Sequence, residues 1–100
     1  MITSYKLSRA AEQSLSKIVA YTDATFGTMQ TAAYVAGFEA SFNLLVSYPR
    51  IGVASFEIKA GLRRYRHQSH YIFYSEQGDT LLIEELIHVR RSLRRDLFDT

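Results

Sequence analysis

The chain has no cysteine among its 100 residues, which excludes a disulfide framework, a thiolate metal site and a cysteine nucleophile. It has a single proline and no low-complexity run, and 47% of its residues are apolar and 13% aromatic, the composition of a folded domain and not of a disordered tail. No apolar run approaches the roughly 20 residues needed to cross a bilayer. The N-terminal MITSYKLSRAAEQ lacks the basic head and apolar core of a secretory signal, so the expected location is the cytoplasm. Also missing are a Gly-x-Ser-x-Gly elbow and a glycine-rich oxyanion loop, which leaves a serine hydrolase without support. A chain of this length buries roughly 60 to 70% of its unfolded surface, enough for one domain over residues 1–100.

Charge is scarce in sum but unevenly placed. The net charge is +2, yet residues 59–100 hold eight basic and six acidic side chains against four and four in residues 1–58. Lys59, Arg63, Arg64 and Arg66 precede any acid before Glu76, and Arg90, Arg91, Arg94 and Arg95 form a second cluster. Two basic patches suit an acidic partner, either a nucleic-acid backbone or an acidic protein segment.

What is present is concentrated in Gly61–His88. Three runs of strand-forming residues, Leu62 to Arg66, His70 to Ser75 and Leu81 to His88, are separated by joints at Gln68-Ser69 and Glu76-Gln77-Gly78-Asp79, which predicts a β-meander. The segment holds all three histidines. Alternation puts Leu62, Arg64 and Arg66 on one face of the first strand and Arg63, Tyr65 and His67 on the other. Tyr71 and Phe73 oppose His70, Ile72 and Tyr74, and Leu82 and Leu86 oppose Ile83 and Ile87. Both faces carry apolar residues, so one should take helices and the other a small cluster or a binding surface.

Before the meander the pattern is helical. Ser4 to Leu7 reads as a short strand, and Ser8 as an N-cap for a helix from Arg9, with Glu12 favoured by the helix dipole. Ala11, Leu15, Ile18, Val19, Thr22 and Phe26 mark its apolar face. Gly27 closes it and Thr28 caps a second helix over about Met29 to Ser47, which ends before Pro49. Ala32, Ala33, Ala36 and Ala40 should let the first helix approach closely, while Val35, Phe38, Phe42, Leu45 and Val46 lie on the sheet. Residues 50–60 form the longest irregular stretch, and Ser92 to Phe98 reads as a charged, weakly helical tail that could cover the second sheet face.

Several chemistries are weighed on these residues. His67, His70 and His88 could bind zinc only if the turn brought His67 and His70 together, and no carboxylate or thiolate stands at a ligand spacing, so no metal and no cofactor is expected. Ribonucleolytic chemistry would use Arg63, Arg64 and Arg66 on a phosphate with Tyr65, Tyr71, Tyr74 or His88 handling a proton. The plainer account pairs the arginines with Glu57, Glu84 and Glu85 or leaves them in solvent, and packs the tyrosines. A docking groove for a partner peptide would explain the arginines and aromatics together.

The succession Tyr-x-Leu-Ser-x-x-Ala at 5–11, the helical hairpin, Tyr48-Pro49 with Ile51-Gly52, Gly61-Leu62-Arg63, Ser69-His70-Tyr71-Ile72-Phe73-Tyr74 and Leu86-Ile87-His88 resembles the ParE branch of the RelE/ParE toxin superfamily over nearly the whole chain. The resemblance implies an α+β fold, a small antiparallel sheet (N-terminal strand plus C-terminal three-stranded meander) packed against an α-helical hairpin. It implies the toxin half of a type II toxin-antitoxin pair that inhibits DNA gyrase, arrests growth and is neutralised in a hetero-oligomer by a ParD-like antitoxin, without sequence-specific nucleic-acid binding. RelE-type relatives instead cut mRNA on the ribosome, and a degenerate, non-toxic antitoxin-binding module is the third alternative. ParE-like chains commonly carry an arginine three residues before the strand-ending histidine, where this chain has Glu85, and Glu84-Glu85 would repel RNA. The residues expected to meet the antitoxin are Arg63, Arg64, Tyr65, Arg66, Tyr71, Tyr74 and His88. The Arg90 to Phe98 tail and residues 26–28 are the candidates for the gyrase contact.

Overall fold

The computed structural model describes residues 1–91. A five-stranded sheet, in the order β1-β5-β4-β3-β2, is built from β1 (Ser4–Leu7), β2 (Val53–Ala54), β3 (Arg63–His67), β4 (His70–Gln77) and β5 (Thr80–His88). Between β1 and β2 run helices α1 (Arg9–Phe26) and α2 (Thr28–Ser47). The α+β architecture therefore holds, with two refinements. β1 joins β5 in parallel while all other pairs are antiparallel, and β2 adds a fifth strand inside the stretch expected to be irregular.

Local chemistry sets the helix ends. The Ser8 hydroxyl accepts the Ala11 N–H at 3.0 Å and donates to the Glu84 carbonyl at 2.8 Å, so one side chain both caps α1 and pins it to the sheet. The cap expected at Thr28 is not used. Gly27 is the shared boundary of both helices, Thr28 is already helical, and the Thr31 hydroxyl donates back to the Gly27 carbonyl at 2.8 Å.

The expected alanine contact on α2 is also corrected. Ala32, Ala33, Ala36 and Ala40 are exposed, while Thr31, Phe38, Ser41, Phe42 and Leu45 are buried. α2 is apolar around most of its circumference, so its sequence names no unique inner face. On α1, Ala11 and Thr22 are buried and Leu15 and Ile18 pack on the core, but Phe26 stands in solvent.

Each side of the sheet has its own core. On the helix side Phe38, Phe42 and Leu45 meet Ile72, Tyr74, Leu81, Ile83 and Leu86, and Tyr5 packs on Phe42 with ring centroids 5.1 Å apart. On the other side Leu62, Phe73 and Ile87 are covered by Ile58, with Tyr71 at the margin. The cover comes from the turns of residues 56–61 that follow β2. The tail expected there, Ser92 to Phe98, lies outside the described residues.

Alternation in β3 and β4 is as expected, but β5 departs from it. Phe73 pairs with Glu85 and Tyr74 with Ile83, so an extra residue in β5 breaks the register between them. Such a bulge changes which face each later residue meets. Leu86 consequently joins Ile83 on the helix side, instead of opposing it.

Tyr74 is fully buried beneath α2, and its hydroxyl donates to the Pro49 carbonyl at 2.8 Å and accepts the Gly52 N–H at 2.9 Å. A Cβ on Gly52 would collide with that hydroxyl and with the Arg64 carbonyl. The link from α2 to β2 is thus tied directly to the central strand.

Candidate functional site

The seven residues expected to share one contact face are divided by the sheet. Arg64 and Tyr71 lie on the side away from the helices, with the Arg64 guanidinium 5.5 Å from the Tyr71 ring centroid and donating to the Ser55 hydroxyl at 2.9 Å. Arg66 is exposed and donates through Nε to the Gln68 carbonyl at 2.8 Å. Arg63 donates to the Gly52 carbonyl at 2.9 Å and lies 5.6 Å from the Phe56 ring centroid. Tyr65 is half-buried against the helix-side core, and His88 is exposed at the end of β5.

Tyr74 departs from the exposed face expected of it: it is 0% exposed and its hydroxyl is spent on backbone groups. Burial is also the main reason its phenol is held above the ordinary value, opposed by the Gly52 hydrogen bond and the Arg63 charge.

The expected arginine–carboxylate pairing is not what holds the arginines. Glu84 is instead taken by Lys59 at 2.6 Å and by the Ser75 hydroxyl. Glu85 accepts the Ser14 hydroxyl and its neighbour's Leu86 N–H. Both carboxylates that should repel RNA are therefore engaged within the fold.

A concavity lies elsewhere among the described residues. A cleft of about 680 Å³ opens between the second half of α1, the start of α2 and the β3–β4 turn, walled by Ile18, Tyr21, Phe26, Tyr34, His70 and His88, with Lys17 at its side. The two-residue turn Gln68-Ser69, with Gln68 at φ 54°, sets His67 opposite His70. β5 in turn sets His88 opposite His70. The three imidazoles thus form a row across three adjacent strands, which answers the question the sequence left open about that turn.

Tyr34 hydroxyl and His70 Nδ1 are 2.7 Å apart, and the His70 and His88 rings meet edge to face at 5.2 Å. His67 is wedged between α2 and β3, its ring 4.8 Å from Phe38 and 5.3 Å from Tyr34. A Cβ on Gly37 would come within 2.6 Å of its Cε1.

This packing favours the uncharged form of His67 and His70. Burial first, and then the neighbouring His88 and His67, push His70 down to about 4. Burial lowers His67 against an opposing hydrogen bond to the Tyr34 backbone, and raises the Tyr34 phenol against one from Ser69. His67 Nε2 is buried without a hydrogen-bond partner. Among the described residues, no group of three or more His, Cys, Asp or Glu side chains is arranged to hold a metal ion. Chemically the cleft offers aromatic surface and two imidazoles, with Lys17 lining it among the described residues.

The cleft carries no local mark in the sequence because its walls come from four elements. Two exposed apolar groups also stand out, Tyr21, Phe26 and Met29 at the helical hairpin, where residues 26–28 are a candidate contact, and Tyr48, Ile51, Val53 and Phe56 around β2, which were not foreseen. The signal available was the run of large apolar residues in 48–56, which the absence of alternation hid.

Comparison with known proteins matches this arrangement. A sequence model described as "ParE toxin of type II toxin-antitoxin system, parDE" matches residues 5–93. The chain is 30% identical over 93 residues to "Toxin ParE1" of Caulobacter vibrioides, covering 93% of this chain and 96% of that one. It is 32% identical over 98 residues to "Toxin ParE1" of Mycobacterium tuberculosis, covering 97% and 100%. A solved structure titled "Chromosomal ParDE TA system from P. aeruginosa" superposes with a TM-score of 0.76 at 15% identity, over 90% of this chain and 98% of that one, and so shares the fold. Among the described residues no helix is long and apolar enough to cross a membrane. The full-length match leaves one assignment: the chain belongs to the ParE toxin family of type II toxin-antitoxin systems.

Proposed function

We infer that this chain, as one toxin domain over residues 1–100, inhibits DNA gyrase in the cytoplasm and so arrests growth, and that a ParD-like antitoxin neutralises it by forming a hetero-oligomer. The observation that carries this reading is the family match over residues 5–93, together with toxin relatives of near-equal length. What supports inhibition over RNA cleavage is the state of the side chains a ribonuclease would need. Tyr74 is buried, Arg63 and Arg64 are held by Gly52 and Ser55, and His70 is engaged by Tyr34. A general acid or base must reach the proton it moves, and these groups are committed to the fold.

For the antitoxin contact, Arg64, Arg66 and Tyr71 remain the centre, with Arg63, Tyr65 and His88 across the sheet and Tyr74 withdrawn. An acidic segment beside exposed arginines gains on-rate as well as affinity. Arg66→Glu, which disturbs only the Gln68 carbonyl contact, should weaken the complex, more so at low salt. Unchanged affinity at every ionic strength would remove Arg66 from the interface.

The deciding experiment measures supercoiling and DNA cleavage by purified gyrase with the protein present, beside cleavage of ribosome-bound mRNA. Lost supercoiling with accumulated cleaved DNA and intact mRNA is expected. Untouched gyrase with cut mRNA would replace this reading by the ribonuclease one, and silence in both would favour a non-toxic antitoxin-binding module.

A further inference from the structure

The histidine row has a feature that packing alone does not require. His67, His70 and His88 stand on adjacent strands, and no carboxylate lines the cleft beside them among the described residues. The titratable and charged groups that face them are few. α1 contributes Lys17 and Tyr21, α2 contributes Tyr34, and β5 contributes His88 itself. Arg66 lies beside His67 in β3 but is exposed, and the backbone N–H of Arg90 donates to His88 Nδ1 at 3.1 Å. Glu85 is drawn away to Ser14. Among the described residues, a proton on His67 or His70 would meet cations and rings, not a counterion.

The row is also a mechanical joint. His67 fills the space that Gly37 leaves open, and His70 reaches Tyr34 one turn earlier on the same helix. Together they add a polar contact to the apolar one that Phe38, Phe42 and Leu45 make with Ile72 and Tyr74. The buried Nε2 of His67 has nowhere to place an added proton without moving α2.

We propose that this row is an acid-released latch: uncharged, it holds α2 against the β3–β4 hairpin, and on gaining protons it separates them and widens the cleft beside Tyr21 and Phe26. The sign follows from the buried state favouring neutral imidazole. The unfolded chain titrates near 6.5, whereas folded His70 sits at about 4 and folded His67 is also lowered. Stability from the row is therefore complete above about pH 6.5 and is lost progressively as pH falls toward the folded values. Between pH 6.5 and 5 the carboxylates are still ionised, so this window belongs to the histidines. Because His70 is only half-buried, solvent screening trims the effect, and the folding equilibrium constant should drop on the order of tenfold between pH 7.5 and 5.

The test uses the full chain and does not depend on its target. Imidazole resonances are followed by NMR from pH 8 to 4, and amide hydrogen exchange is compared at pH 7.5 and 5.5 after correction for intrinsic rates. His67 and His70 should titrate below the ordinary imidazole value of 6.5, and protection should fall first in α2 and the Gln68-Ser69 turn. Denaturant unfolding of His70→Asn, which keeps a polar partner for the Tyr34 hydroxyl, should show a flatter dependence between pH 7.5 and 5. Ordinary titration of all three histidines, or protection lost evenly across the sheet, would overturn the latch. Should His70→Asn fail to fold, the wild-type titration and exchange data still decide.

Discussion

On the helix-covered face of the sheet, Tyr34, His67 and His70 lie around the ring of Phe38 with, among the described residues, no carboxylate lining the cleft, whereas on the opposite face Glu84 sits 92% buried with Lys59 at 2.6 Å and the Ser75 hydroxyl on its other oxygen. Both faces bury polar groups. The first avoids charge by keeping imidazoles neutral, and the second keeps charge by surrounding it with partners. The lesson is that one small sheet can present a side sensitive to protons and a side sensitive to the removal of any single partner.

The comparison can be broken most severely from the helix side. Phe38→Ala removes the ring that touches His67, Tyr34 and Phe42 at once and should cost about 3–5 kcal/mol, read by urea unfolding at pH 7.5. A loss below about 1 kcal/mol would mean that the histidines, and not the aromatic core, hold α2. On the opposite face Glu84→Ala removes the acceptor of the buried Ser75 hydroxyl, which still accepts from the Gln77 amide, while Lys59, whose side chain is 45% exposed, turns to water. The expected loss is about 1–3 kcal/mol, and no loss would show that desolvation of the carboxylate had already offset its bonds. Gly37→Ala sharpens the contrast. The new methyl meets the His67 ring, but alanine favours the helix by up to about 1 kcal/mol, so the net loss should be about 1 kcal/mol. In a His67→Ala background the same change should become stabilising, and a persistent loss there would place the clash elsewhere.

Much of this was legible in the chain because short-range chemistry decided it. Ser8 before an amphipathic run, Gly27 between two helices and Pro49 after the second marked the helix ends to within a residue or two. The alternation of β3 and β4 survived folding because each strand buries different side chains on its two faces. Other features depend on partners far away in sequence. The inner face of α2 is chosen by Ile72 and Tyr74 and not by its own pattern, β2 exists only because β3 offers an edge, and the bulge near Glu84 reversed the end of β5 without any local mark. The histidine row was unreadable for a related reason. Gln68-Ser69 is not a sequence that announces a two-residue hairpin, so the opposition of His67 and His70 had no signal.

The pairing of β1 with β5 has a consequence for how the molecule comes into being. Ser4 to Leu7 lie beside Thr80 to Ile83, and the cap of α1 reaches the Glu84 carbonyl across 76 residues. Contacts of such separation form late, after the entropy of closing a long loop has been overcome. As the chain leaves the ribosome its first strand has no neighbour until nearly its last has emerged, because β5 stands between β1 and everything else in the sheet. A nascent chain short of β5 therefore carries its helices but no finished sheet, and the sheet closes only once β5 has joined it.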